Sequence, residues 1–227
     1  MSASQAASSV RIYTADARAI DAASLARLES LLDAAEAARA ARFHFDLHRR
    51  RFVAAHGFLR EVLARESGLE ARALRFQLGP HGKPRLAESE LHFNLTHTGE
   101  IALVAVGERE LGLDAEEIRP ERLDGPLAQR VMTAEEFSTW TRAPRAEQVR
   151  AFFRLWSAKE SVMKAVGLGI GLAPQSFAVF EPHSLELRAT TRIDDCAWTL
   201  RELTGPAGFA FALATQGPAL VAHGAWP

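Results

Sequence analysis

Only one of the 227 residues is a cysteine, Cys196, so no disulfide can form within the chain and a reducing compartment is the simpler setting. In Cys196-Ala197-Trp198 it reads as a small core residue of a strand. No apolar run is long enough to cross a membrane, and residues 1–9 have neither a basic n-region nor an apolar h-region. A cytoplasmic protein with a frayed N-terminus and no membrane partner is therefore expected. Charge of one sign is lacking too. With 27 Lys and Arg against 28 Asp and Glu the net charge is −1, which gives no whole-molecule attraction to nucleic acid. Any steering must come from local patches. Low-complexity tracts are absent. What remains is 48% hydrophobic residues, enough for the core of one large domain or two small ones.

The stretch Phe152 to Gly167 has no internal Gly or Pro, and its apolar residues recur every three or four positions. It is expected to be a helix that stops at Gly167. At 100° per residue Phe152, Leu155, Trp156, Val162, Met163 and Val166 form one stripe, with Lys159 in its middle and Glu160 and Lys164 one turn apart along its edge. Burying an unpaired ammonium costs several kcal/mol. Either Lys159 snorkels to solvent beside an ordinary Glu160–Lys164 surface pair, or the stripe carries a site.

Val10 to Thr14 can start a first strand. Asp21 to Arg42 reads as two helices with Ser24 or Asp33 near their starts, and about Asp46 to Glu66 as a third, with Arg49-Arg50-Arg51 near its beginning. Leu74 to Leu78 alternates like a strand, and Gly79 to Pro84 is a turn by composition. Leu91 to Leu95, Ile101 to Val106 and Leu111 to Glu116 follow as strands with short turns, the pattern of an antiparallel meander. Helices resume near an N-cap at Thr133. Strands are expected again at about 177–180, 185–189, 198–203, 209–214 and 220–222. Helices then strands, twice, suggest an internal repeat. At an offset of 99 residues Arg60-Glu61, Arg65 and Gly68 fall on Lys159-Glu160, Lys164 and Gly167. At an offset of 108, Ile101 to Val106 falls on Phe209 to Ala214, but His97, Asp114 and Glu116 become Gly205, Ala222 and Gly224. Two similar lobes sharing one asymmetric site are inferred, with a boundary between about Ile118 and Thr133.

Asp114 and Glu116, two apart on a strand, project from one face. A solvent-facing strand edge explains such a pair; inside an apolar strand a cation explains it better, and oxygen-only ligands favour Mg²⁺ shared with substrate phosphates. Thr96 and His97 end a strand at a turn, where hydroxyl and imidazole can serve a phosphate or simply the turn. Gly82-Lys83-Pro84-Arg85 is a stiffened basic turn or a solvated hairpin tip.

Gly82-Lys83-Pro84, Phe93-Asn94-Leu95-Thr96-His97, Gly112-Leu113-Asp114-Ala115-Glu116 and the run Trp156 to Gly171, in that order and spacing, resemble the signature of the 4'-phosphopantetheinyl transferases of the larger, Sfp-type group. The likeness spans about residues 42 to 180. It departs at Thr96, where serine is common, and at Ala115, where a larger aliphatic is usual; threonine keeps the hydroxyl and Ala115 faces away from the carboxylates. The resemblance implies an α+β fold of two similar lobes related by a pseudo-twofold, each an antiparallel sheet packed against helices, here residues 1–118 and 119–227, in a monomer with coenzyme A between the lobes. It further implies transfer of the 4'-phosphopantetheine arm of coenzyme A to a serine of an acyl or peptidyl carrier protein, with release of adenosine 3',5'-bisphosphate. By that likeness Asp114, Glu116 and Glu160 would hold Mg²⁺, Glu160, directly or through a metal-bound water, would take the serine proton, and Lys164 would stabilise the leaving phosphate oxygen. Lys159 would supply charge at the lobe interface. Thr96 and His97 would bind phosphates of coenzyme A, with Gly82, Lys83 and an arginine of the Arg49 to Arg51 cluster, here assigned to Arg49, near its 3'-phosphate. Two rival readings stay open: a Mg²⁺-dependent hydrolase of nucleotide diphosphates, and a non-catalytic module binding a carrier protein or coenzyme A. Fatty-acid, polyketide and nonribosomal-peptide carriers are all compatible with the chain.

Overall fold

Two strands buried on both faces set the layering of the molecule. The computed structural model describes residues 7–87, 89–224 and 226. In β5 (Ile101–Gly107, counting strands from β1, Ser8–Asp16), Ala102, Val104 and Val106 pack beneath helix α3 (Asp46–Ser67), while Ile101, Leu103 and Ala105 face a second sheet. In β9 (Phe209–Gln216), Phe211 and Leu213 complete that inter-sheet core, and Ala210, Ala212 and Ala214 lie under helix α6 (Arg145–Val166). Period-2 alternation with both faces apolar gives a near-continuous hydrophobic run, because each strand is covered twice. The result is helix, sheet, sheet, helix.

The first sheet has the order β10-β1-β5-β4 and the second β6-β9-β8-β7. Here β4 is His92–Thr98, β6 Leu111–Glu117, β7 Thr190–Ile193, β8 Cys196–Glu202 and β10 Ala219–Gly224. All neighbours are antiparallel except β1 and β10. A separate hairpin joins β2 (Phe76–Leu78) to β3 (Pro84–Leu86), so the basic turn opens into a strand the sequence did not announce. The chain is thus α+β, with antiparallel sheets packed against helices.

The expected three-strand meander is broken. β4 and β5 pair, but β5 already has β1 on its other edge, so β6 leaves the first sheet and pairs with β9, Asp114 opposite Ala212 and Glu116 opposite Ala210. In return β10, next after β9, crosses to the first sheet and runs beside β1. The strands expected at 177–180 and 185–189 reduce to one bridge between Phe180 and Leu187. Cys196 is exposed, contrary to its expected place in the core: it follows the Asp194-Asp195 turn at the tip of the β7–β8 hairpin, beyond the reach of the helix layer. The expected frayed start lies in residues 1–6, outside the described residues, and β1 takes up Ser8 and Ser9. Asp21, not Ser24, caps α1 (Ala22–Glu29), its carboxylate accepting from the Ser24 N–H at 2.7 Å, and Asp33 caps α2 (Ala34–Ala41). Two further helices, α4 (Gly125–Val131) and α5 (Ala134–Arg142), precede α6.

Helices α3 and α6 are both 22 residues long and end at Gly68 and Gly167, with φ 74° and 77°, left-handed values that glycine adopts without strain. Each buries a cation completely, Arg60 and Lys159. Arg60 donates to Glu36 and Asp33, both at 2.6 Å, and to the carbonyls of Ala71 (3.0 Å) and Leu74 (3.3 Å). Lys159 meets Glu136 at 2.8 Å and donates to the carbonyls of Pro174 and Phe177, each at 2.7 Å. Glu36 and Glu136 also close the capping boxes of α2 and α5. The lysine on the apolar stripe therefore neither snorkels nor stays unpaired; it ties α5 and the 174–177 segment to α6. Burial lowers the pKa of Lys159, and the facing carboxylate opposes that effect. Breaking such a pair from one side leaves a buried charge and costs about 3–5 kcal/mol. Lys159→Met is expected to lower the urea midpoint accordingly, and Lys159→Met with Glu136→Leu to recover most of the loss. A single variant as stable as the parent would show that the pair holds nothing together.

Candidate functional site

Strand β6 lies unusually close to helix α6. A Cβ built on Gly112 would fall 2.1 Å from the Ser161 carbonyl oxygen and 2.3 Å from the Ala165 nitrogen, so only glycine permits this approach. The strand's alternation then turns Asp114 and Glu116 toward the helix, while Leu111, Leu113 and Ala115 enter the inter-sheet core. Across the narrow gap Lys164 Nζ stands 2.6 Å from Asp114 Oδ1, 3.3 Å from Thr96 Oγ1 and 3.4 Å from the Leu113 carbonyl. Thus Lys164 reaches to β6 instead of forming a plain surface pair with Glu160. The Ser157 hydroxyl donates to the Asp114 carbonyl at 3.2 Å, and the Trp156 indole N–H to Glu116 Oε1 at 3.0 Å.

Three carboxylates are crowded here with one cation. Asp114 is only 3% exposed, and its Oδ2 is buried with no hydrogen-bond partner. Burial raises its pKa, with Lys164 pulling the other way. Burial and then the Asp114 charge push Glu116 up to about 7, although the Trp156 bond opposes this. Glu160 is raised by burial and by Asp114. Raised carboxylates around an orphaned buried oxygen mark a place short of positive charge. Among the described residues no three His, Cys, Asp or Glu side chains form a ready-made metal cage. The donor set nevertheless fits a hard divalent cation of the kind that takes one or two carboxylates and completes its shell with water and substrate phosphate.

Asn94 fixes the mouth of the site. Its Oδ1 accepts the Leu113 N–H at 2.8 Å, satisfying a backbone donor on the free edge of β6 and locking β4 of one sheet to β6 of the other. Beside it opens a cavity of about 290 Å³ lined by the 81–84 turn, Asn94, Glu160, Met163 and Lys164. Gly82, with φ 86°, shapes that turn. Lys83 aims inward. Its ammonium donates to Glu110 at 2.7 Å, to the Leu111 carbonyl at 3.0 Å and to the Ala165 carbonyl at 2.8 Å, latching the hairpin to β6 and α6. Burial alone would raise Glu110, but hydrogen bonds from His92 and Lys83 bring its pKa down to about 2.

His97, next to Thr96 on β4, is solvent-accessible at the rim of a small recess it shares with Arg51, Ala54 and Glu100. The protein crowding its ring and the positive fields of His56, Lys164, Arg39 and Arg51 hold its pKa below the ordinary value. Arg51 is anchored by Glu100, through Nε at 2.7 Å. Arg49 pairs instead with Glu29, and Arg50 donates to the carbonyls of Ala17 and Ile20.

The structure therefore brings together Thr96, Asp114, Glu116, Glu160 and Lys164, with His97 one residue along and Gly82 and Lys83 on the bordering hairpin. It does not bring Lys159 or Arg49 to this cluster: Lys159 is sealed between α5 and α6 against Glu136, and Arg49 on α3 points to Glu29 of α1. Asn94, Trp156 and Ser157 also belong to the site; the sequence places them within the motifs of the family resemblance but assigns them no role there.

Comparison with known proteins matches both halves of the chain. A family model described as "4'-phosphopantetheinyl transferase, N-terminal" covers residues 21–109, and one described as "4'-phosphopantetheinyl transferase superfamily" covers residues 110–214. The 4'-phosphopantetheinyl transferase HetI of Nostoc sp. is 36% identical over 198 residues, 84% of this chain and 81% of that protein. The transferase psf-1 of Bacillus pumilus is 30% identical over 189 residues, 82% of this chain and 79% of its own. Sfp of Bacillus subtilis is 29% identical over 154 residues, 67% and 68% of the two chains. With both halves matched and relatives aligned along most of their length, the protein belongs to the 4'-phosphopantetheinyl transferase superfamily.

Proposed function

We propose that this transferase moves the 4'-phosphopantetheine arm of coenzyme A onto a serine hydroxyl of an acyl or peptidyl carrier protein and releases adenosine 3',5'-bisphosphate. The observation that carries this reading is the cluster of Asp114, Glu116 and Glu160 around Lys164, opening on a cavity beside the 81–84 turn. An Mg²⁺ ion held by Asp114, Glu116 and Glu160 would neutralise charge on the coenzyme A diphosphate. Glu160, directly or through a water, takes the serine proton as the serine oxygen bonds to the pantetheine-side phosphorus. The bond from that phosphorus to the bridging oxygen breaks, and Lys164 meets the charge left on the departing phosphate. Thr96 and His97 hold phosphate oxygens from β4. Of the three adjacent arginines, Arg51 is the one placed beside His97 to face the 3'-phosphate, with Arg39 contributing to the same field. Gly82 and Lys83 act through the hairpin, Lys83 by fixing it and Gly82 by shaping its turn.

The reading includes a monomer in the cytoplasm with two lobes, residues 1–118 and 119–227, related by a pseudo-twofold and exchanging β6 and β10. The equal lengths of α3 and α6, 99 residues apart, and their matching buried cations support it.

The first test is intact mass of an apo carrier protein after incubation with this protein, coenzyme A and Mg²⁺, with and without EDTA. The expected result is a gain of about 340 Da, the mass of the covalently transferred arm, that EDTA abolishes. Release of the bisphosphate without a carrier would instead support a hydrolase, and no gain on fatty-acid, polyketide or peptide carriers a binding module. Asp114→Ala should cut turnover by about 10²-fold or more with the fold retained, as loss of a charge-positioning group does; near-normal rates would remove Asp114 from the site. His97→Ala should raise the coenzyme A dissociation constant about tenfold, the loss of one charge-assisted hydrogen bond. An unchanged constant in calorimetry would take His97 out of the binding set.

A further inference from the structure

Helix α6 holds one oxygen of Asp114 and one of Glu116 on β6 and leaves the other of each free. Lys164 occupies Asp114 Oδ1, and Oδ2 has no partner. Trp156 occupies Glu116 Oε1 at 3.0 Å, and among the described residues no hydrogen bond is made to Oε2. The two donors differ in kind. An ammonium can be drawn toward an incoming phosphate, whereas an indole N–H is neutral, donates only, and cannot follow a substrate. The indole is also fixed from behind: it stacks on Phe152 with the rings 6.4 Å apart and 8° from parallel, and Phe152 is buried in the second core. Trp156 thus forms a rigid link from that core to a carboxylate whose side chain would otherwise rotate freely at the end of its strand.

We infer that Trp156 is a positioning residue for Glu116, its indole N–H selecting the rotamer that presents Oε2 beside Asp114 Oδ2 to the divalent cation. This rests on the reading of Glu116 as a cation ligand. Groups that orient a ligand from behind usually carry a tenfold or larger share of metal affinity. The residue acts through Glu116 alone, so its effect must vanish once Glu116 no longer binds the cation.

The test is Mn²⁺ binding to the full-length protein, followed by electron paramagnetic resonance of free Mn²⁺ in the presence of coenzyme A. Four proteins are compared: the parent, Trp156→Phe, Glu116→Gln and the double variant. Phenylalanine keeps the stack on Phe152 and removes only the donor. Trp156→Phe is expected to weaken Mn²⁺ binding about tenfold, and to cause no further loss in the Glu116→Gln background, the coupling that a double-mutant cycle isolates. Metal-free binding of coenzyme A and the thermal midpoint should change little. Parent-like Mn²⁺ affinity in Trp156→Phe would overturn the inference. So would an equal loss in both backgrounds, which is what a purely packing role gives. If Glu116→Gln alone leaves Mn²⁺ affinity unchanged, the cation reading of Glu116 itself falls, and the positioning role falls with it. Should Trp156→Phe lack a folded circular dichroism spectrum, Trp156→Leu, which likewise has no side-chain donor, enters the same cycle with the same criteria.

Discussion

Everything at the site depends on the closeness of one strand to one helix. Gly112 lets β6 press against the backbone of Ser161 and Ala165, and that contact sets the depth at which Asp114 and Glu116 meet the α6 side chains. A side chain of any size there would have to push the two elements apart, because the obstructing atoms are backbone on both sides. Lys164, Trp156 and Ser157 have fixed reach, so their bonds of 2.6, 3.0 and 3.2 Å to β6 exist only at this spacing. The carboxylates are gathered by packing, not by their own attraction.

That gathering works against electrostatics. Three acidic groups share a partly desolvated pocket, and like charges in low dielectric repel. Burial sharpens the repulsion, and the fold relieves it locally with one lysine, an indole N–H and a hydroxyl. The compensation is incomplete, as the orphaned Asp114 Oδ2 and the rise of Glu116 to about 7 show. The contrast with Lys159 is instructive. There a buried charge has an ionised partner and two carbonyls, and nothing is left over. Completed polar networks brace the fold, whereas the unfinished one faces the cavity.

Much of this was legible in the chain. Helix α6 from Phe152 onward, its stop at Gly167 and the facing of Asp114 and Glu116 follow from period and residue type, while the family was legible through the resemblance of the Trp156 to Gly171 run. Other features depend on long-range geometry. Nothing local says that β6 abandons β5 for β9, since the choice is made by β1 filling the other edge of β5. Lys159 and Lys83 carry the same charge as Lys164 and sit in equally suggestive motifs, but their partners Glu136 and Glu110 lie far from them along the chain and outside those motifs. Which arginine of Arg49 to Arg51 faces His97 depends on the rotation of α3, fixed by packing against α1 and β5. Cys196 shares the inward face of Trp198 and Leu200, yet it lies past the end of the core.

The two halves of the chain share their bracing but not the site. Arg60 and Lys159 lie at equivalent points of equal helices, each bound to the glutamate of a capping box and to two carbonyls, so the bracing is kept in both halves. The strand after the central hairpin is not kept in the same way. At the 108-residue offset Gly112 becomes Leu220, Asp114 becomes Ala222 and Glu116 becomes Gly224. Leu220 is 71% exposed on β10, which runs beside β1 instead of at a place like that of β6 beside β9. With a leucine in place of the glycine, that close approach is sterically closed, and without the approach carboxylates on β10 would have nothing to meet. Gly112, Asp114 and Glu116 thus work as one packing unit, since the glycine sets the approach that gives the two carboxylates their partners on α6.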